Sequence, residues 1–401
     1  MSAAAARRRK QLAAKAAAAG EDPITTKLNS LLAADDLSES TAYEALQLAQ
    51  SQVRKSVIAG NYSKATETYA YDVLVKLLEK GKASVASQLM SLLVQVLNET
   101  HTACNGAWVK RIQNLSELNL KAVKGIQSVN ETEYRRLMKL HAKFLKSALG
   151  WSNSLGLIRF GSLEIHKLLA DQLWEMSVSQ AENTTSSEEQ EEAEEEAGAE
   201  DYSSVGLQSE AVTHYSLAED VEAILAKLAT LPGPTDEETA QNHPCPPCAR
   251  ESLLTRSILL LLSVENIRDA YKLLTSYLET IESRDIEELK KSYMSKTDGK
   301  SPSHPVFLSM LLQICRKNAK TGPLFSWAIK GFNAELSKMY KPDVLKMYTN
   351  NIGKVYFNIL PPPSMMSTIE NMMNMMNGAG GLGGPGGINP AMMQAMMQGG
   401  M

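Results

Sequence analysis

At 401 residues and 44% hydrophobic content the chain is long enough to bury a large core, yet aromatic residues make up only 6% and β-branched runs are scarce. Those figures argue against a sheet-rich fold and for an all-α one. The formal net charge is −4, but nine acidic residues and no Lys or Arg lie between Glu188 and Asp201, so the remainder is mildly basic. A surplus that small and dispersed does not form the basic stripe of a nucleic-acid binder.

In chain order, residues 1–22 pair Arg7, Arg8, Arg9 and Lys10 with alanine, and read as a disordered or partly helical arm. A targeting signal is the second reading, disfavoured because the segment is poor in serine and has little apolar surface for an amphipathic face. Regular helices are expected from Pro23. Ala42, Ala45, Leu46, Ala49, Val53 and Val57 recur at spacings of three and four, and so share one face of a helix ending at Gly60-Asn61. Ala65, Tyr69, Val73, Leu77 and Leu78 continue the stripe on a second helix. After Gly81, Val85, Leu89, Leu92, Leu93, Val96 and Leu97 build a third. Connections this short make neighbouring helices antiparallel.

Further helices are expected over 134–149, 162–174, 210–230, 250–263, 264–283, 304–318, 324–340 and 343–357. Helix pairs of roughly 35 to 40 residues in series define a right-handed tetratricopeptide-like solenoid with disordered termini. The strict consensus of such repeats is absent, so the expectation rests on period and helix length. Residues 23–177 and 207–363 are its two halves, and 178–206 an acidic disordered insert between them. Residues 364–401 are a flexible tail rich in Met and Gly.

Chemistry is sparse. Cys245 and Cys248 form a C-x-x-C pair in a Pro-rich connection, but no βαβ pattern surrounds them, and among nearby residues only His243 could add a zinc ligand. The pair reads as incidental. His101, His141, His166, His214 and His304 show no metal-binding spacing, and His141 and His166 sit in apolar helices as packed residues. No phosphate-binding glycine loop is present, no cofactor is implied, and the chain is expected not to be an enzyme. The four cysteines follow no apolar secretory segment, which points to reduced thiols and the cytosol. The apolar run Ser257–Ser263 is far shorter than the ~20 residues that span a bilayer and is expected to be a buried helix.

Several landmarks occur in a telling order. EALQLAQSQVRK precedes NYSKATE, LGWSNSLGLIRFGSLEIHKLLADQLWEM spans 149–176, EAVTHYSLAEDVEAILAKLATL spans 210–231, and IGKVYFNILPPPSMM spans 352–366. Over roughly Pro23 to Pro363 this resembles the Golgi-to-ER traffic protein four family, the cytosolic adaptor of the guided-entry-of-tail-anchored-proteins pathway. The acidic insert, the Cys245/Cys248 loop and the long Met-rich tail depart from the family pattern.

The resemblance implies an adaptor that bridges two partners. Its N-terminal repeats would bind the targeting ATPase and its C-terminal repeats a ubiquitin-like adaptor protein, with catalysis left to the ATPase. For the ATPase face it nominates Lys55 and Tyr62, with Lys27 and Arg54 as neighbouring cations. For the ubiquitin-like partner the candidates are Phe307, Leu308, Leu311, Phe357 and Ile359, about half of which are expected to be ordinary core. Eleven of the nineteen methionines lie between Met365 and Met401. They fit either contact with hydrophobic client segments or an extension whose first part, Met365 to Met376, caps the last repeat. The rival reading is a helical-repeat scaffold subunit of a proteasome-lid or translation-factor type complex; an enzyme built on Cys245 and Cys248 ranks third.

Overall fold

A computed structural model of the protein describes residues 22–34, 37–127, 129–184, 203–232, 250–283, 285–288, 304–337, 339 and 341–359. Residues 1–21, the acidic stretch 185–202 of the insert, the Cys245/Cys248 loop and the Met-rich tail lie outside the described residues. Within them every regular element is helical. In order these are α1 (Pro23–Leu32), α2 (Glu39–Ile58), a π-helical run (Lys64–Tyr71) leading into α3 (Asp72–Glu79), α4 (Ala83–Glu99), α5 (Gly106–Gln127), α6 (Glu131–Leu155) and α7 (Leu163–Thr184). There follow α8 (Ser204–Leu217), α9 (Val221–Thr230), α10 (Arg250–Ser263), α11 (Ile267–Tyr277, prolonged by π-helical Leu278–Glu282), α12 (His304–Cys315), α13 (Gly322–Leu336) and α14 (Pro342–Phe357).

One backbone device closes five of these helices. At residue 60 the amide of Gly60 donates to the Val57 carbonyl (3.0 Å) and that of Asn61 to Ser56 (2.8 Å), with Gly60 at φ 74°. This is the paired 5→2 and 6→1 closure around a left-handed residue. It recurs at Gly81 and, without glycine, at His101, Glu219 and Glu265, whose φ values are 50°, 55° and 71°. After the last two of these reversals the next helix is capped by a side chain: Asp220 Oδ1 accepts from the Ala223 amide (2.9 Å) and Asn266 Oδ1 from the Asp269 amide (3.1 Å). Sharp reversal follows by strong capping, so each helix folds back on its predecessor.

Packing is sequential. α2 lies against α1, the π-helical run and α4, α4 against α6, α5 against α6 and α7, and α7 against α8. The expected all-α stack of helical repeats is therefore present. The C-terminal half adds a feature the expectation lacks: α10 touches α8, α9, α11 and α12, and also α14. Surrounded in this way it is buried from Glu251 through Leu262, which explains why Ser257–Ser263 reads as an unbroken apolar run. Its one buried cation, Arg256, hydrogen-bonds Tyr348 on α14, and burial pushes the guanidinium pKa down.

Three sequence boundaries need correction. α5 is a helix that the apolar periodicity left unassigned. The helix expected over 210–230 is two, because the chain reverses at Glu219; a non-glycine residue in the left-handed region leaves no sequence mark. α7 runs on to Thr184 and α8 starts at Ser204, so both ends of the 178–206 stretch are helical.

The loop joining α6 and α7 shows why the 149–162 landmark has its composition. A Cβ on Gly156 would lie 2.2 Å from the Ser152 carbonyl oxygen, and one on Gly161, at φ 96°, would lie 2.8 Å from Ser152 Oγ. Ser152 Oγ accepts from the Ser162 amide (3.0 Å), and buried Trp151 donates Nε1–H to the Thr102 carbonyl (2.9 Å), tying the last turns of α6 to the segment after α4. Gly156→Ala is expected to destabilise the chain by about 1–3 kcal/mol through this overlap. Glu219→Gly, relieving a left-handed side chain, is expected to stabilise it by about 0.5–1 kcal/mol. Urea unfolding of the two variants checks both signs.

Candidate partner-binding surfaces

At the N-terminal end, Asp22 caps α1 through its Oδ1 to the Ile24 amide (3.2 Å) while its Oδ2 accepts from Lys55 Nζ (2.6 Å) and Gln52 Nε2 (3.0 Å). The Lys55 hydrogen bond, followed by that of Gln52, holds the Asp22 pKa at about 2. Lys27 pairs with Glu44. Two of the four nominated residues thus clamp α1 to α2. Arg54 differs: it is exposed and its guanidinium has no partner among the described residues. One turn on, Ile58 is 88% exposed, and Tyr62 stands beyond the Gly60 reversal with about half its surface in water. The outward face is therefore Arg54, Ile58 and Tyr62. Ile58 escaped the sequence reading because it lay outside the apolar stripe, which was itself the signal.

At the C-terminal end the structure moves most of the nominated residues inside. Phe307, Leu308 and Leu311 on α12 are buried, with Phe307 stacked on Phe332 at 4.1 Å and 5°. Phe357 is buried against Phe325 at 4.8 Å. These four hold α12, α13 and α14 together and do not line a surface, because their faces meet neighbouring helices. Ile359 alone reaches solvent. The exposed apolar residues here are Leu324 (54%) and Trp327 (64%) on α13, which sequence reading missed although they lie one turn apart.

A third surface sits between the α6–α7 loop and α14. Leu157 and Ile158 are exposed in the loop, and beside it a cleft of about 370 Å³ is lined by Phe160, Leu217, Leu260, Val264, Met347 and Val355.

The histidines make no metal centre: no group of three or more potential ligands occurs among the described residues. His141 is buried between Ser116 (3.1 Å) and Gln172 (3.0 Å), as expected of a packed histidine. His166 and His214 meet across α7 and α8, a pairing 48 residues apart that no local spacing reveals. His166 Nε2–H donates to the Phe160 carbonyl (2.9 Å), so its Nδ1 accepts from His214 Nδ1–H (2.8 Å). His214 Nε2 then faces Glu210 at 3.8 Å, and Lys146 reaches the same carboxylate at 3.1 Å. Burial raises the Glu210 pKa, but His214 and Lys146 outweigh it and hold the group at about 2.

Desolvation, with repulsion by His214 and against the Phe160 bond, places His166 at about 4. Burial likewise places His141 and His304 at about 4, the Gln172 bond opposing it at His141. All three are depressed below the unfolded value of roughly 6.5, so the unfolded chain binds more protons as pH falls from there toward 4. Stability is expected to be level above pH ~7 and to drop by several kcal/mol between pH ~6.5 and ~4, read as the urea midpoint against pH. Asp22 and Glu210, held at about 2, lose their contribution only at lower pH.

No described helix is long and apolar enough to cross a membrane. The fold and surfaces define a stacked helical-repeat protein with exposed side chains at both ends and no assembled reactive centre among the described residues. The model of the family "Golgi to ER traffic protein 4" matches residues 59–377, most of the chain. The chain belongs to that family and, at family level, to the guided-entry pathway. The plant relative "Protein GET4" of Arabidopsis thaliana is 23% identical over 304 residues, covering 72% of this chain and 78% of the relative. The crystal structure of C. therm. Get4 matches at 18% identity over 92% of this chain and 99% of that one, with a TM-score of 0.49.

Proposed function

We propose that the chain is a non-enzymatic cytosolic adaptor in post-translational targeting of tail-anchored proteins to the endoplasmic reticulum, bridging the targeting ATPase and a ubiquitin-like adaptor protein. The observation that carries this is two exposed faces at the two ends of one stack of helices. Arg54, Ile58 and Tyr62 crown α2 and the turn after it, and Leu324, Trp327 and Ile359 crown α13 and the end of α14. Many helix layers lie between them, so two partners bind without competing.

On this reading the ATPase meets the N-terminal face. Arg54 supplies a free cation for an acidic partner and Tyr62 an amphipathic ring, while Lys27 and Lys55 keep α1 in register through Glu44 and Asp22. The ubiquitin-like protein meets the C-terminal face. There Trp327 and Leu324 are the anchors, Ile359 completes the patch, and Phe307, Leu308, Leu311 and Phe357 support it from below.

Affinity capture from cytosol with the full chain is expected to recover both partners; recovery of neither overturns the reading. Arg54→Glu is expected to weaken the ATPase by about tenfold, with loss seen mainly in association rate and at low salt, and to spare the ubiquitin-like protein. Trp327→Ala is expected to do the reverse, by tenfold or more, on the order of 1.4 kcal/mol or above. Variants that weaken both partners equally would contradict the assignment of one face to each.

A further inference from the structure

The outer face of α13 carries Leu324, Trp327, Gly331 and Ala334 at spacings of three and four, all exposed. A Cβ on Gly331 would meet nothing within 4 Å, so the helix face beside Trp327 is open. The other three tryptophans, Trp108, Trp151 and Trp174, are buried. An exposed Trp and Leu one turn apart form an apolar patch that another segment can cover.

The end of the described chain sits at the first turn of the helix that carries this stripe. The Ile359 amide donates to the Gly353 carbonyl (2.9 Å), and Ile359 Cδ1 lies 3.7 Å from where a Gly322 Cβ would be, at the first turn of α13. Beyond it the sequence reads Leu360-Pro-Pro-Pro-Ser364, then Met365, Met366, Ile369, Met372, Met373 and Met376 at helical spacing, then the glycine-rich stretch from Gly378. The family match ends at residue 377, which includes the methionine segment and leaves out the glycines.

Lengths agree as well. Five residues in polyproline geometry reach about 15 Å. The stripe from Leu324 to Ala334 is about 15 Å long, and twelve residues of helix measure about 18 Å.

We propose that residues 365–376 of this chain lie along the outer face of α13, with Met365, Met366, Ile369, Met372, Met373 and Met376 over Leu324, Trp327 and Ala334. Methionine moulds to an irregular aromatic surface, and its sulfur adds a favourable contact with the indole. The short tether supplies an effective concentration on the order of millimolar, so weak contacts suffice to keep the face covered. A partner for that face must then displace the segment. The inference stands on the stripe and the tether, whichever partner the face receives.

Iodide quenching of Trp327 tests this, its emission being isolated as the difference between each chain and its Trp327→Phe counterpart. The chains are full length, residues 1–377, residues 1–363, and full length with the six named Met and Ile residues changed to Ser. Trp327 is expected to be quenched about threefold less in the first two than in the last two. Equal quenching in the full and 1–363 chains overturns the proposal, as does protection lost in the 1–377 chain, which would assign the cover to the glycine-rich end. Protection that vanishes on dilution overturns it in favour of exchange between copies. The Ser-substituted chain keeps the test decisive if the 1–363 chain fails to fold.

Discussion

The left-handed closure at the ends of helices is the constraint on which the molecule depends. Each time it forms, two carbonyls that would be orphaned at a helix end are satisfied by the next two amides, and the chain turns back within a few residues. An amphipathic helix cannot bury its stripe alone. Returned at once upon its predecessor it buries one side, and the following helix covers the other. Gly60 and Gly81 make the closure at little cost, whereas His101, Glu219 and Glu265 hold a left-handed backbone with a side chain attached. Packing of the flanking helices overrides that local cost, as tertiary structure commonly overrides propensity.

The same stacking separates the two exposed faces to which the proposed partners are assigned. Contacts run mainly between helices close in sequence, and each end presents a face that no described helix covers. The centre behaves differently. Around α10 the C-terminal half gathers from several sides, and its interior carries buried polar groups such as Arg256 and the Thr255–His304 hydrogen bond (2.7 Å). The junction of α7 with α8 adds His166, His214, Glu210 and Lys146 as a hydrogen-bonded and charged seam.

Much of the fold was legible in the sequence because amphipathic periodicity and glycine breaks write directly onto the chain. The stripe from Ala42 to Val57, the breaks at Gly60 and Gly81 and the buried run Ser257–Ser263 are where that reading placed them. The reversal at Glu219 was invisible because its signal is a dihedral angle, not a residue type. The partner faces were harder for a related reason. Apolar side chains such as Phe307 and Phe357 look alike in sequence whether a neighbouring helix or a partner covers them, and the structure puts these two inside. Lys55 and Lys27 look like free cations until folding supplies Asp22 and Glu44. What the sequence does not reveal is which residues folding leaves exposed: Arg54, Ile58, Leu324 and Trp327.

The central claim is that one chain holds two partners at once at its two ends. The most direct measurement is the mass of the assembly formed when this chain, the targeting ATPase and the ubiquitin-like protein are mixed, determined by light scattering after size exclusion. The account predicts a single species containing all three, and no association of the two partners when this chain is left out. Two partners that exclude one another from the chain, or that associate equally well without it, would contradict it.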